Sequence, residues 1–209
     1  MVEVAWLGAT DIDRIMDLEQ QAFEPSMQAD RKTVLQRFSL GHHMVGAPHD
    51  DRLVGSIAFS AARLGDDPVV GLPSTFKEYS CQPVPPDPDT LCIYSLGIEP
   101  SARGLGVTRT LIHAAFAWGR AQRLPRVIAD GPLPSLAGNE QVAPRPATRR
   151  MIDRYVATGE MPADDELLQD PVLNLYRRLT GCRFKALLRD FIPADTASEG
   201  WRVLLYLDL

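Results

Sequence analysis

Residues 91–111, LCIYSLGIEPSARGLGVTRTL, decide the fold of this chain. The apolar residues of the first eight positions predict a strand, which the following Glu-Pro pair would end. Two glycines, Gly104 and Gly106, come next and open a long amphipathic segment that predicts a helix. A glycine turn between a strand and a helix presents free backbone N–H groups to an anion. The stretch therefore predicts a phosphate-binding turn.

The segments on both sides of this stretch predict further strands and helices. Before it, Thr10 and Asp30 are predicted to cap two helices that each have an apolar face. The helix after the turn is expected from about Gly104 to Leu124, and another helix runs from Asp170-Pro171 to Gly181. Strands are expected at residues 2–7, 43–47, 53–61, 127–130, 182–188 and 201–209, and a further helix at 147–158.

Two segments are too long to be ordinary connections between these elements. Residues 65–90 are rich in proline, and residues 131–169 begin with a half that is rich in proline and glycine. Connections of this length are uncommon and usually functional. We expect both segments to be excursions over the surface of a single large domain.

Composition and charge exclude several classes of protein. Acidic residues outnumber basic ones, 27 to 22, which argues against a general nucleic-acid binder. No apolar stretch approaches the roughly 20 residues of a membrane helix, and the first residues lack the pattern of a signal peptide. Three cysteines without a CxxC pair favour a reducing, cytoplasmic setting. No metal site is predicted, and the adjacent His42 and His43 are expected in a loop or at a sheet edge.

The order of elements, together with residues 98–112, IEPSARGLGVTRTLI, resembles the GNAT superfamily of N-acetyltransferases. That family binds the pyrophosphate of acyl-CoA at an Arg/Gln-x-x-Gly-x-Gly/Ala motif that follows a strand. Arg103 and Gly106 match the motif, whereas Thr108 stands where the family has Gly or Ala. A bacterial subgroup with long insertions, sometimes associated with nitrilase-like amidohydrolases, is similar at residues 73–80, 86–104, 170–184 and 189–201.

For the fold, the resemblance implies a single GNAT acyltransferase domain over residues 1–209, of the α/β (α+β) class. A mixed central sheet of about seven strands would be splayed at the acyl-CoA site and flanked by helices. The two long insertions would occupy approximately residues 65–90 and 131–169. The expected partners are a small-molecule amine and, if the protein is a homodimer, a second copy, with no nucleic acid and no membrane.

The resemblance also implies which residues hold acetyl-CoA, the expected cosubstrate. Backbone N–H groups of residues 105–108 would bind the pyrophosphate beside Arg103. The backbone of Leu96 and Ile98 would hydrogen-bond to pantetheine as an added strand would. The whole predicted cofactor-binding set, which includes no metal, is Leu96, Gly97, Ile98, Arg103, Gly104, Leu105, Gly106, Val107, Thr108 and Asn174.

The implied reaction is transfer of the acetyl group to the primary amine of a small molecule by direct attack on the thioester. Tyr176 is the predicted acid for the leaving thiolate, although it lies one residue further from Gly181 than in the family's Tyr-x-x-x-Gly spacing. Glu78 is the predicted base. Asp130, at the end of a core strand, and Tyr94 are alternative bases.

Other functions remain open at this stage. The same fold performs other acyl-CoA chemistry, namely acylation of a hydroxyl group or decarboxylation of a malonyl group. A non-catalytic acyl-CoA-binding module is favoured by Thr108 and by the shifted Tyr176. A dinucleotide-binding oxidoreductase is disfavoured, because the glycine motif follows the third or fourth strand rather than the first.

Overall fold

The computed structural model describes residues 2–209, which contain seven strands and eight α-helices joined by loops and short 3₁₀ turns. The strands are β1 (Ala5–Leu7), β2 (His43–His49), β3 (Arg52–Ala62), β4 (Thr90–Ile98), β5 (Arg126–Pro132), β6 (Arg183–Leu188) and β7 (Arg202–Asp208). The helices are α1 (Ile12–Ala22), α2 (Arg31–Ser39), α3 (Pro68–Gly71), α4 (Phe76–Tyr79), α5 (Val107–Ala121), α6 (Pro146–Thr158), α7 (Asp164–Leu167) and α8 (Pro171–Thr180). None of these eight helices has both the length and the apolar character needed to cross a membrane.

The strands are hydrogen-bonded in the order β1-β2-β3-β4-β5-β7-β6, which confirms the predicted sheet of about seven strands. Neighbours from β1 to β4 are antiparallel, and so are β6 and β7. The chain divides into two compact units, residues 2–128 with 208–209 and residues 129–207, and β5 runs from the first into the second. The assignment of the whole chain to a single domain stays a prediction.

The core of the first unit lies where two helices pack on the antiparallel strands. Helix α1 packs against β3 and β4, and α5 packs against β2, β3 and β4. The predicted apolar stripe of α5 is buried, with Leu111 and Ala115 fully covered. Trp118, half-buried on the same helix, lies 5.2 Å from the ring of Phe59. This packing fixes α5 against β4, and with it the turn that joins them.

Helix starts follow local capping, with one departure from the sequence prediction. Asp30 and Asp170 cap α2 and α8 as predicted, because their carboxylates accept N–H groups of the first helical turn. The prediction that Thr10 caps the first helix is wrong. A 3₁₀ turn, Ala9–Asp11, precedes α1, and the carboxylate of Asp11 accepts the N–H of Gly8 at 3.0 Å. Asp11 therefore makes its capping bond at Gly8, two residues before the predicted cap Thr10.

Strand β4 carries a β-bulge in its middle. Ala58 of β3 lies opposite Ser95, whereas the next residue, Phe59, lies opposite Ile93. Tyr94 is therefore an extra residue on β4. A bulge bends its strand and increases the local twist. The bend comes immediately before the segment that was predicted to hold pantetheine.

The first predicted excursion, residues 65–90, contains the short helices α3 and α4 and is tied together at its ends. Asp89 accepts the N–H groups of Leu64 and Gly65, each at 2.9 Å. Arg126 lies 3.0 Å from the same carboxylate. Burial raises the pKa of Asp89, but the hydrogen bonds outweigh burial and lower this pKa to about 2. The ionised carboxylate thus closes the base of the excursion.

The second unit has a hydrophobic core of its own. Helix α6 confirms the helix predicted at 147–158, and β6 and β7 confirm the last two predicted strands, which pair antiparallel. The short helix α7 was not predicted. The elements of the second unit jointly bury Leu133, Leu136, Met151, Ile152, Leu167, Leu173, Cys182, Phe184, Leu187, Trp201, Val203 and Leu205.

Candidate functional site

Two glycines in the left-handed conformation shape the turn between β4 and α5. Gly104 and Gly106 have φ angles of 82° and 83°, which other residues adopt only at a cost in free energy. Helix α5 therefore begins at Val107 and not at Gly104, where the sequence analysis placed its start. A Cβ at either glycine would meet no atom within 4 Å. The backbone conformation, not close packing, is what requires glycine here.

The N-cap residue of α5 offers no side chain to accept the first N–H groups of the helix. Gly106 is the N-cap residue, and no side chain caps the helix. The N–H groups of Val107, Thr108 and Arg109 have no partner within the helix and lie at the positive end of its dipole. The turn residues 103–106 are exposed, but the N–H of Leu105, one of the predicted pyrophosphate donors, already donates to the carbonyl of Ala102 at 3.3 Å. The arrangement can bind an anion such as a phosphate group.

Glu99, which the sequence analysis treated only as the end of a strand, anchors the entry to this turn. Its side chain is buried, and Oε1 accepts hydrogen bonds from Ser101 Oγ at 2.6 Å and Arg52 Nη1 at 2.8 Å. These two partners, Ser101 first, lower the pKa of the Glu99 carboxyl. The Glu99 N–H donates to the carbonyl of Val54 at 3.0 Å. The turn is thus attached to β3, and Arg52 balances the charge of the carboxylate.

The last residues of β4 are only partly covered, although the strand lies inside the sheet. Leu96 and Ile98 are half-buried, whereas Gly97 is buried. A Cβ at Gly97 would lie 2.8 Å from the ring of Phe23, so glycine allows the end of α1 to pack here. A single 3₁₀ turn separates this segment from the glycine turn. The structure therefore brings the two predicted cofactor-binding segments together, and their contact with acyl-CoA stays a prediction.

Glu78, the predicted base, lies on the short helix α4. Its side chain is exposed, and Oε2 accepts a hydrogen bond from Ser74 Oγ at 3.1 Å. Its N–H donates to Thr75 Oγ1, which caps the helix, at 3.3 Å. These contacts stabilise the start of α4. A role for Glu78 as a base stays a prediction.

Tyr176 and Asn174 belong to the second unit, where both lie on α8. Tyr176 is half-buried against the core of that unit. Burial, and after it the negative charge of Asp130, raises the pKa of Tyr176 to about 12. Its hydroxyl therefore keeps its proton at neutral pH. Asn174 is exposed, and its Nδ2 donates to the carbonyl of Leu168 at 3.3 Å. The roles assigned to both residues stay predictions.

Asp130, one of the alternative bases, has an environment that the sequence could not show. Its side chain is buried in the second unit, and its Oδ2 lies 3.3 Å from Nε of the buried Arg202. Arg202 also pairs with Asp195, so one guanidinium serves two carboxylates. Burial raises the pKa of Asp130 to about 7, and the charge of Arg202 offsets only part of this effect. Asp130 can therefore gain and lose a proton near neutral pH.

The first unit contains a buried pair that the sequence analysis missed, His42 and Tyr94. His42 lies in a loop, as expected, but it is buried, with Nε2 2.7 Å from the carbonyl oxygen of Gln82 and Nδ1 3.0 Å from Tyr94 Oη. A carbonyl oxygen only accepts, so Nε2 donates to it and Nδ1 accepts the tyrosine hydroxyl. Burial lowers the pKa of His42 and raises that of Tyr94. Both side chains are therefore neutral at pH 7.

The sequence of the chain matches the model of the acetyltransferase (GNAT) family over residues 12–135. This match includes β4, the glycine turn and α5. No curated protein sequence matches the chain.

Solved structures of GNAT proteins are similar to almost the whole chain. The GphF GNAT-like decarboxylase in complex with isobutyryl-CoA has a TM-score of 0.75 at 17% identity, and the alignment covers 99% of this chain and 98% of that one. The loading GNATL domain of CurA from Lyngbya majuscula has a TM-score of 0.74 at 16% identity, with 100% and 98% covered. The ribosomal-protein-S18-alanine N-acetyltransferase from Escherichia coli has a TM-score of 0.59 at 12% identity, with 100% and 94% covered. At these identities the similarity shows the fold alone, which is the predicted mixed sheet with flanking helices. Membership of the nitrilase-associated subgroup stays a prediction.

Proposed function

The chain belongs to the GNAT family of acetyltransferases, and on that premise we propose that it transfers the acetyl group of acetyl-CoA to the primary amine of a small molecule. The GNAT acyltransferase fold itself follows from the family match and from the solved structures. The donor, the acceptor and the residues that hold them are the proposal.

The observation that carries the proposal is the glycine turn ahead of α5. Left-handed Gly104 and Gly106 leave the N–H groups of residues 107–109 free, and the pyrophosphate of CoA supplies the negative oxygens that such a helix start binds. Arg103, exposed on the turn, would add a positive charge beside the pyrophosphate. The nearby carboxylate of Glu99 is already paired and would repel the phosphates less than a free carboxylate.

The end of β4 would guide the rest of the cofactor towards the reaction. The bulge at Tyr94 bends the strand, and the half-buried Leu96 and Ile98 follow it. Pantetheine would hydrogen-bond to their backbone groups as an added strand would. The thioester carbonyl would then lie near Leu96, where a backbone N–H group could polarise it.

The reaction requires one proton to be removed and one to be supplied. The amine nitrogen attacks the thioester carbon, the C–N bond forms and the C–S bond breaks; a base takes the ammonium proton, and an acid protonates the CoA thiolate. Tyr176 keeps its proton at neutral pH, as the acid must. Among the candidate bases, Asp130 has a pKa of about 7, which suits proton removal at neutral pH. Glu78 is exposed, and its role as a base rests on the sequence alone.

Calorimetric titration of the purified protein with CoA and with acetyl-CoA tests the cofactor half of the proposal. We expect binding by the wild type and loss of binding in Gly106→Glu, because the new side chain brings a negative charge to the phosphate site and strains a left-handed position. Gly159→Glu is a matched control: Gly159 is also left-handed, with φ 72°, and also has no atom within 4 Å of a built Cβ. Unchanged binding in Gly106→Glu, or no binding by the wild type, would refute the proposal.

The acceptor half is tested by release of the CoA thiol from acetyl-CoA in the presence of a panel of small primary amines. Thiol release that depends on an amine supports acyl transfer. Binding of acetyl-CoA without thiol release in any reaction favours the non-catalytic module. The amide product should be identified by mass spectrometry, because simple thioester hydrolysis also releases the thiol.

Decarboxylation of a malonyl group is a second candidate function. It is favoured by the two GNAT-like structures with TM-scores of 0.75 and 0.74, one of them a decarboxylase, against 0.59 for the N-acetyltransferase. In this reaction the C–C bond to the carboxylate breaks, carbon dioxide leaves, and the remaining carbon takes up a proton. Conversion of malonyl-CoA to acetyl-CoA without any amine would support this function, and unchanged malonyl-CoA would exclude it.

A further inference from the structure

Arg37 of α2 is a buried guanidinium in the first unit, with 8% of its surface exposed. Its Nε donates to the carbonyl oxygen of Ser80 at 3.2 Å, and its Nη2 donates to Ser80 Oγ at 2.9 Å. The guanidinium carbon lies 4.9 Å from the ring centroid of Tyr94 and 5.9 Å from that of Phe76. One serine and two aromatic faces therefore hold the group in place.

The charge of Arg37 has no ion-pair partner among the residues that the structure describes, since its contacts are those with Ser80 and the two rings. The charge of Arg37 acts to lower the pKa of two carboxyl groups, Glu19 and Asp30, but it forms an ion pair with neither. Burial raises the pKa of Glu19 more strongly, and Glu19 Oε2 accepts the N–H of Ala29 at 2.9 Å. Asp30 Oδ1 accepts the N–H of Thr33 at 2.7 Å. Two further titratable neighbours of Arg37, His42 and Tyr94, are neutral. Buried charges in proteins are normally paired, so an unpaired one calls for a ligand.

One edge of the guanidinium is free to take such a ligand. Ser80 occupies the edge formed by Nε and Nη2. The end edge, formed by Nη1 and the second hydrogen of Nη2, makes no hydrogen bond to any residue within 2–209. Nη1 has no hydrogen-bond partner but is not fully buried, so it is in contact with solvent. This end edge is the fork that binds both oxygens of a carboxylate.

Arg37 stacks on a residue of β4, the strand along which the thioester is expected. The ring that Arg37 stacks on belongs to Tyr94, the bulge residue of β4. Leu96 follows two residues later, roughly 7 Å along the strand. For a substrate that reacts at Leu96, we infer that a second polar group a few bonds from the reacting atom would meet Arg37.

On the premise of the acyl-CoA function above, we propose that Arg37 binds a carboxylate of the substrate that reacts at this site. The carboxylate has two chemical sources. It belongs either to the acceptor, as in an α-amino acid, where it stands next to the amine, or to the acyl group of the donor, as in malonyl-CoA or succinyl-CoA. Both sources present the same planar, negatively charged group to the guanidinium.

The wild-type protein alone decides between these sources. In the first arm, α-amino acids and their carboxamides are compared as acceptors of acetyl-CoA, and in the second, malonyl-CoA and succinyl-CoA are compared with acetyl-CoA in binding and turnover. A charge-assisted hydrogen bond predicts an advantage of about 10- to 100-fold for the carboxylate in one arm. Ratios near unity in both arms, in a protein that binds CoA, would overturn the proposal and leave the proposed function intact.

Variants then assign the preference to Arg37. We expect Arg37→Gln to remove the carboxylate preference while the affinity for CoA itself stays within about threefold, because the pyrophosphate turn is separate. Arg37→Lys keeps the charge without the fork and should keep part of the preference, which gives a second variant if Arg37→Gln folds poorly. Arg31→Gln, an exposed arginine of the same helix that pairs with Asp13, is the matched control and should leave the preference unchanged. A preference that survives both Arg37 variants would place the carboxylate elsewhere, and a wild type that does not bind CoA would reject the proposed function and this inference with it.

Discussion

Replacing Asp89 with asparagine should open the base of the 65–90 excursion. The carboxylate accepts the N–H groups of Leu64 and Gly65 and lies 3.0 Å from Arg126. Asparagine keeps the shape, but it loses the charge and presents an NH₂ group to one of the two N–H donors. The excursion carries Ser80, which holds the guanidinium of Arg37, so its closure also concerns the carboxylate site that we propose there.

The size of the effect follows from the pKa of Asp89. A decrease from the ordinary value of 3.8 to about 2 corresponds to about 2 kcal/mol of stability. The side chain is 29% exposed, and solvent screening reduces the expected loss in Asp89→Asn to about 1–2 kcal/mol at pH 7. Because the folded-state pKa is lowered, this stability is present above about pH 4 and is lost as the pH falls through 4 towards 2. At pH 3 about half of it should remain.

Urea unfolding of wild type and Asp89→Asn, followed by circular dichroism at pH 7 and pH 3, measures this difference. The control is Asp87→Asn, because Asp87 is 60% exposed in a surface pair with Arg63 and should contribute less than about 0.5 kcal/mol. Equal losses in the two variants, or a difference between wild type and Asp89→Asn that does not shrink at pH 3, would contradict the role of Asp89.

Two further predictions concern other parts of the chain. Gly97→Ala should lower the free energy of unfolding by about 1–3 kcal/mol, because the added Cβ would lie 2.8 Å from the ring of Phe23; an unchanged melting temperature would contradict it. Asp130 should appear in a carbon-13 NMR titration as a carboxyl group with a pKa of about 7 that is absent in Asp130→Asn. Because this folded-state pKa is raised, the stability that it contributes is present below about pH 4 and is lost as the pH rises through 7, and Asp130→Asn should remove that slope. Titration of every carboxyl group below about pH 5 would show that Asp130 is not the buried, poorly compensated carboxylate described above.

The sequence by itself determined the local features of this protein. Helix caps at Asp30 and Asp170, the alternation that makes β6 and β7 strands, and the paired glycines before α5 were all predicted, because each depends on residues within a few positions along the chain. The errors were local too. Thr10 lost its cap role to Asp11, and α5 starts three residues late because left-handed glycines do not continue a helix.

The tertiary structure alone decided the chemistry of the buried charged groups. Arg37 meets Ser80 across 43 residues of chain, and His42 meets Tyr94 across 52. No periodicity or spacing relates such residues, because the contact exists only after a helix, a loop and a strand have packed together. Burial then shifts the pKa values, leaving Asp130 near 7 and His42 neutral, and it leaves one edge of Arg37 without a partner. The sequence thus predicted the glycine turn that we propose binds acyl-CoA, and packing determined the environment of the buried charged side chains.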